Sequence, residues 1–313
     1  MYGKEGGSAL YQWQRRMQTR IGNAVLLWMG RRYVRLPERW GHRLGAGLGG
    51  LMRWLSPRHY RIVMANLQLA FGSEKSEGEL AAIARGCYRH LGKCLMEFIR
   101  LPAMTPDDIR RVTRYQGREH LDAALSAGKG VILLTAHLGN WEMVGARFAA
   151  DGYPLHVIAR AQRDDRLTEY IRQTREVAGM RVLHREDSVR ASLRALRSNE
   201  VVGILLDQNA GDDGVFVDFF GHLASTAPGA AAFALRTGAA VVPAFGRRNP
   251  DDSHTICIYE PAPLIHTGDS RSDIAANTQR YTKIIEEQIR TCPEQWFWLH
   301  KRWKSRPPEE RPA

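Results

Sequence analysis

The constellation best able to do chemistry is a histidine at the end of an apolar run, followed by a glycine, a helix cap and a carboxylate. It reads Gly130-Val-Ile-Leu-Leu-Thr-Ala-His137-Leu-Gly139-Asn140-Trp141-Glu142-Met143. The run before His137 is rich in β-branched and aliphatic residues, so His137 is expected at the carboxyl end of a strand. In open α/β sheets that edge is where ligands bind. Asn140 is a good N-cap, and Trp141, Val144 and Phe148 give the next helix an apolar side. Glu142 falls in its first turn, five residues after the histidine. Folded back across a tight turn, its carboxylate can fix the ring's tautomer, raise its basicity and offset the imidazolium charge. The expected catalytic pair is therefore His137 with Glu142. Backbone N–H groups near Gly139 and Asn140, at a helix start, are candidates to receive an oxyanion. The spacing alone is weak, since among 11 histidines one His-x4-acid match is expected by chance and one occurs. A histidine that merely caps a strand beside a helix-start glutamate has the same spacing.

No G-x-S-x-G elbow occurs, and none of Cys87, Cys94, Cys257 and Cys292 lies in a nucleophile setting. A basic His137 would then act on a hydroxyl of the substrate, a direct transfer to an alcohol that calls for no metal, cofactor or acyl-enzyme. A second apolar run ends in Asp207-Gln208-Asn209 and should emerge on the same sheet edge; an Asx turn is the plainer reading of that segment. Arg160 ends a third run, and an arginine there suits bidentate phosphate binding. In an Arg-rich chain a lone arginine is more often solvated surface.

The elements that must position these residues are legible as alternation. Residues 57–101 read as helix, broken at Gly72 and reopened by Ser76. From about residue 115, apolar runs at 131–135, 155–159, 201–206, 240–245 and 255–259 alternate with helical stretches at 119–127, 140–150, 166–179, 188–198, 228–237 and 273–291. The expectation is an α/β fold, with a mainly parallel central sheet flanked by helices and preceded by a helical, membrane-associating N-terminal region. The expected division is 1–56, 57–114 and a catalytic region 115–305, with a disordered tail over 306–313.

The chain of 313 residues carries 45 basic and 33 acidic side chains. Residues 1–60 hold 11 basic and 2 acidic residues, and the rest hold 34 and 31, so the body is nearly balanced and the N-terminus strongly basic. Such a segment suits an anionic partner. Residues 21–30 are apolar but too short to cross a bilayer core, which takes ~20 helical residues. Residues 9–55 mix arginine with Trp13, Trp28, Trp40 and Trp54, as in a basic amphipathic hairpin lying on an anionic membrane face. An ordinary helix pair packed on the body is the alternative. Residues 293–304 are dense in aromatics and cations. They suit an interfacial anchor, a nucleic-acid face, or aromatics packed on the core. Gly45-Ala-Gly47-Leu-Gly-Gly50 fits G-x-G-x-x-G only formally, with no strand before it. Cysteine spacing suggests reduced thiols in a cytosolic setting.

Taken together, these segments resemble the lipid A late acyltransferases, the lauroyl- and myristoyl-transferring enzymes of lipopolysaccharide assembly. The resemblance runs in order over nearly the whole chain: Met64-Ala-Asn66-Leu-Gln-Leu-Ala-Phe71, Thr135-Ala-His137-Leu-Gly139-Asn140-Trp141-Glu142, Arg160, Asp207-Gln208, Gly214-Val-Phe-Val with Phe219-Phe220-Gly221, Thr237-Gly238-Ala with Val241-Val-Pro243, and Pro293-Glu294-Gln295-Trp296 with Trp298-Leu-His300-Lys-Arg302-Trp303-Lys304. It implies transfer of a fatty acyl chain from acyl carrier protein to a hydroxyacyl chain of a Kdo-bearing lipid A precursor, at the cytoplasmic face of the bacterial inner membrane. It also implies a catalytic dyad of His137 and Glu142, with Arg160, Asp207 and Gln208 toward the substrate. Where the family often has a second acid, this chain has Asn209. A glycerolipid (lysophospholipid) acyltransferase would share the His-x4-acid logic but should carry later Glu-Gly-Thr-type phosphate signatures, which are absent. A basic nucleic-acid-binding protein is disfavoured by the near-neutral body and the lack of nucleic-acid motifs. A structural protein of the membrane surface would leave the strand-end polar clusters without a purpose.

Overall fold

The computed structural model describes residues 37–159, 164–184 and 188–307. Among the described residues three helices come first: α1 (Glu38–Leu55), α2 (Pro57–Phe71) and α3 (Glu77–Arg100). Ser76 opens α3 with a reciprocal capping box to Glu79. After α4 (Pro106–Val112) the chain alternates: β1 (Thr113–Gln116), α5 (Arg118–Ser126), β2 (Val131–Thr135), α6 (Trp141–Ala150), β3 (Leu155–Ala159), α7 (Asp165–Val177), β4 (Arg181–His184), α8 (Ser188–Arg197) and β5 (Val201–Leu205). A hairpin, β6 (Val215–Phe219) and β7 (His222–Thr226), precedes α9 (Gly229–Thr237), β8 (Ala240–Arg248), β9 (His254–Ile258) and α10 (Ser270–Thr291).

The expected α/β class, a mainly parallel central sheet flanked by helices, is what the structure shows. The central sheet has the order β1-β9-β8-β2-β5-β3-β4. Strands β8, β2, β5, β3 and β4 are mutually parallel; β9 runs against β8 and pairs in parallel with β1. β2 is buried along its whole length, as a strand covered by helices on both faces must be. The chain leaves β2 for β3 and returns to lay β5 between them. The carboxyl ends of β2 and β5 therefore lie side by side at the middle of the sheet. Apolar side chains of both sheet faces, of α2 and α3, and of the C-terminal aromatics build the core.

The glycines of α1 serve packing. Gly41, His42, Gly45 and Gly49 are buried on one face. A Cβ on Gly45 would stand 2.6 Å from the Gly92 carbonyl oxygen, one on Gly49 1.9 Å from that of Tyr88, and one on Gly92 1.9 Å from that of Gly45. The backbones of α1 and α3 thus touch directly at Gly45 and Gly49, whereas a Cβ on Gly47 or Gly50 would meet nothing within 4 Å, so packing accounts for only the first glycine of the G-x-G-x-x-G spacing. Among the described residues no helix is long and apolar enough to cross a membrane. Residues 21–30 with Trp13 and Trp28, Arg160, and the tail from residue 308 lie outside the described residues.

Candidate active site

The site is built where β2 and β5 end. In their register Thr135 faces Leu205, so His137 and Asp207 each stand two residues beyond a paired position. The His137 Nδ1–H donates to Asp207 Oδ1 at 2.9 Å. The His137 backbone N–H donates to Asp207 Oδ2 at 2.9 Å, and the Trp296 indole N–H reaches the same oxygen at 2.7 Å. Burial by itself would raise the Asp207 pKa, but the His137 charge and these donors outweigh it and hold the carboxyl below its usual range. With Nδ1 protonated, Nε2 carries the ring's lone pair. The Gln208 side-chain nitrogen lies 3.3 Å from Nε2. The imidazole remains 21% exposed, edge-on to Trp141 at 4.9 Å between centroids and 6.0 Å from the Phe297 ring.

Glu142 does not make the contact expected of it. Its carboxylate accepts from Arg175 Nε at 2.9 Å and from Arg175 Nη2 at 2.6 Å. It also accepts from the neighbouring Trp141 indole at 3.0 Å. Among the described residues it makes no hydrogen bond to His137. The helix start that places Glu142 turns its side chain toward α7, where a guanidinium offers a bidentate partner. Among the described residues Glu142 is linked to the ring's neighbour Trp141 by a hydrogen bond, and the carboxylate hydrogen-bonded to His137 is Asp207.

The turn between His137 and α6 is pinned. Gly139 sits at φ +60°, and a Cβ there would lie 2.0 Å from the Gly246 carbonyl oxygen. Its N–H donates to the Gln295 carbonyl at 3.0 Å, so this group, expected as an oxyanion donor, is already engaged. Asn140 is the N-cap: its Oδ1 accepts from the Met143 N–H at 3.0 Å. The Phe297 N–H donates to the His137 carbonyl at 3.0 Å.

The C-terminal aromatic run is thus a wall of the site. Trp296, Trp298 and Trp303 are buried, while Lys301 and Lys304 face outward. Asn66 on α2 clamps the run by donating to the carbonyls of Trp298 and His300 at 2.8 and 2.7 Å. Arg302 is fully buried. It donates to the Ser225 carbonyl, to the Thr226 hydroxyl and, at 3.4 Å, to the Gln208 carbonyl. Burial pushes its guanidinium down to about 10, against the opposing pull of the Asp207 charge. The Asn209 N–H donates to the His300 ring at 2.9 Å. The sequence motifs around Asn66, His137, Asp207 and Trp296 therefore converge on one place. Arg175 was not foreseen; it is one of several arginines on an exposed helix and carries no local signal.

The family model described as bacterial lipid A biosynthesis acyltransferase matches residues 9–305. The chain is 29% identical to the lipid A biosynthesis lauroyltransferase of Escherichia coli (strain K12), over 90% of both chains. It is 27% identical to that organism's lipid A biosynthesis palmitoleoyltransferase, also over 90% of both. It is 30% identical to the phosphatidylinositol mannoside acyltransferase of Mycobacterium tuberculosis (strain CDC 1551 / Oshkosh), over 71% of this chain and 70% of that one. Matched by that family model over residues 9–305, this chain is a member of the bacterial lipid A biosynthesis acyltransferase family.

Proposed function

We propose that this acyltransferase moves a fatty acyl chain from acyl carrier protein to a hydroxyacyl chain of a Kdo-bearing lipid A precursor, with His137 as general base. The observation that carries the chemistry is the 2.9 Å bond from Nδ1 to Asp207, which leaves Nε2 as the base on a partly exposed ring. Nε2 takes the proton of the acceptor hydroxyl while its oxygen attacks the thioester carbonyl. Asp207 stabilises the imidazolium that forms. The tetrahedral intermediate collapses by breaking the carbon–sulfur bond, and the imidazolium returns its proton to the leaving thiolate. Neither metal nor cofactor enters the step. Holding one hydroxyl beside one thioester supplies much of the acceleration. Gln208 is placed to contact the acceptor oxygen, and Trp141 and Phe297 offer apolar faces to an acyl chain. Glu142, through Arg175 and Trp141, keeps that frame in place. Arg160, the next residue in sequence after β3, is assigned to the anionic acceptor.

The same reading places the protein on the cytoplasmic face of the inner membrane. On α1, Trp40, Leu44, Leu51, Trp54 and Leu55 are exposed on the face opposite the buried glycines. Arg39, Arg43 and Arg58 are exposed nearby, which suits a surface of anionic lipid. A groove of about 730 Å³ between α1 and α3 is lined by Arg53, Arg85, Arg89 and Lys93 against Asp252 and Glu294, and acidic or phosphorylated partners fit it.

The test uses purified wild-type protein and His137→Ala with acyl carrier protein thioesters and a Kdo-bearing lipid A precursor, read by mass spectrometry. A mass gain in the wild type, lost in the variant, is expected, and the increment names the chain. Transfer near wild type by His137→Ala overturns the mechanism. Transfer to lysophosphatidate but not to the lipid A precursor overturns the acceptor.

A further inference from the structure

Behind the catalytic turn lies a charged cluster that the reaction itself does not use. Glu97 on α3 is 5% exposed and receives donors from four other elements or their edges. Arg248, at the end of β8, spans both carboxylate oxygens at 2.6 and 2.5 Å. His42 of α1 lies 2.9 Å from Oε1 and His254 of β9 3.2 Å from it. Asn140 Nδ2, at the head of α6, donates to Oε2 at 2.6 Å. Burying a carboxylate and a guanidinium is costly, and a buried ion pair is weak support for stability alone. Such a cluster calls for another purpose.

Its geometry supplies one. Two threads run from Glu97 to the residues next to His137. The direct one is Asn140, whose amide nitrogen is held by Glu97 while its Oδ1 caps α6 at Met143. The indirect one passes through Arg248, whose Nε–H donates to His90 Nδ1 at 3.3 Å. That bond leaves the His90 proton on Nε2, which lies 3.1 Å from the Gly139 carbonyl and donates to it. Arg248 also exchanges hydrogen bonds with the Gln295 side chain through its own backbone N–H and carbonyl, and the Gln295 carbonyl holds the Gly139 N–H. Both sides of the Gly139–Asn140 turn are therefore fixed from one carboxylate.

We propose that Glu97 is a positioning residue for acyl transfer, setting the turn that aims His137 by tethering Asn140 and, through Arg248 and His90, Gly139. The inference rests on the acyl-transfer reading and concerns residues that touch neither substrate. A side chain that only caps α6 needs no donor toward Glu97; the second hydrogen bond of Asn140 is what the proposal explains.

The experiment separates cap from tether. Asn140→Ser keeps a good N-cap but cannot reach Glu97. Glu97→Asp keeps the charge opposite Arg248 and withdraws it from Asn140. Each variant is confirmed folded by its melting curve, then assayed for kcat and KM. Each should lose kcat on the order of 10²-fold, with KM for donor and acceptor within about threefold. The double variant should fall no more than about threefold below either single one. A kcat within about threefold of wild type in a folded single variant, or losses that multiply in the double, overturns the proposal. If Glu97→Asp does not fold, Asn140→Ser decides by the same limit. Backbone ¹⁵N–¹H spectra give a substrate-free readout: the amides of His137 to Asn140 should shift in both variants, and unchanged amides overturn the inference. No transfer by wild type in the same assay would overturn the acyl-transfer reading instead, and the spectra would still decide this one.

Discussion

The imidazole of His137 and the carboxylate of Asp207 meet at 2.9 Å across a sequence separation of 70 residues. Parallel pairing brings them together: with Thr135 opposite Leu205, equal steps past the ends of β2 and β5 bring the two side chains alongside. A one-residue slip in that register would turn one of them to the other face of the sheet. The precision of the pair is therefore set by the most buried part of the fold.

Asp207→Asn should show what this bond does. An asparagine can present its amide nitrogen to Nδ1 and favour the wrong tautomer, as in other His–Asp pairs, where such a change costs about 10⁴-fold in kcat. A loss of that order is expected with substrate KM little changed and a cooperative melt retained. Steady-state kinetics and a melting curve check both.

Glu142→Gln should be milder, on the order of 10- to 10²-fold, because its carboxylate acts through Arg175 and Trp141. Arg175→Met should instead cost mainly stability, about 3 kcal/mol, by leaving a largely buried carboxylate unpaired. Denaturant unfolding and kinetics on both variants make the comparison. A loss in Glu142→Gln that exceeds that of Asp207→Asn would return the ring-orienting role to Glu142.

His90 should contribute to acid sensitivity. Burial, reinforced by the Arg248 charge, pushes its pKa from the usual 6.5 down to about 3, so it is neutral in the fold. The unfolded chain gains a proton there that the folded chain does not. Stability is therefore full above pH 6.5 and falls as pH drops toward 3, by about 1.4 kcal/mol per pH unit within that window. His90→Gln, which can still donate to Gly139, should remove that slope between pH 6 and 5. Unfolding free energies measured at several pH values for both proteins give the difference.

Trp54→Glu combined with Leu55→Glu should weaken binding to vesicles of anionic phospholipid by at least about tenfold, since each apolar side chain contributes about 1.5–3 kcal/mol when fully buried. Co-sedimentation with such vesicles is the measurement. Unchanged vesicle binding would remove α1 from the membrane contact.

Much of the fold was written in local pattern. The apolar runs at 131–135 and 155–159 are strands with those bounds, and Ser76, Gly72 and Asn140 stop or start helices where their chemistry says they should. The strands that escaped notice, β1, β4 and the β6–β7 hairpin, are short and carry polar or aromatic residues in no clean alternation. Two of them are edge strands of the sheet, where burial imposes less pattern. His137 was legible for the same local reason: it ends an apolar strand. Its partner was not. Glu142 was the nearer acid in sequence, but a side chain in the first turn of a helix points where the helix axis sends it, and here that is toward Arg175. Choosing Asp207, burying Arg302 behind it and gathering Glu97, Arg248, His90 and Asn140 under one turn all depend on strand order and helix packing. Those are contacts between residues tens to hundreds of positions apart, whose geometry no local spacing encodes.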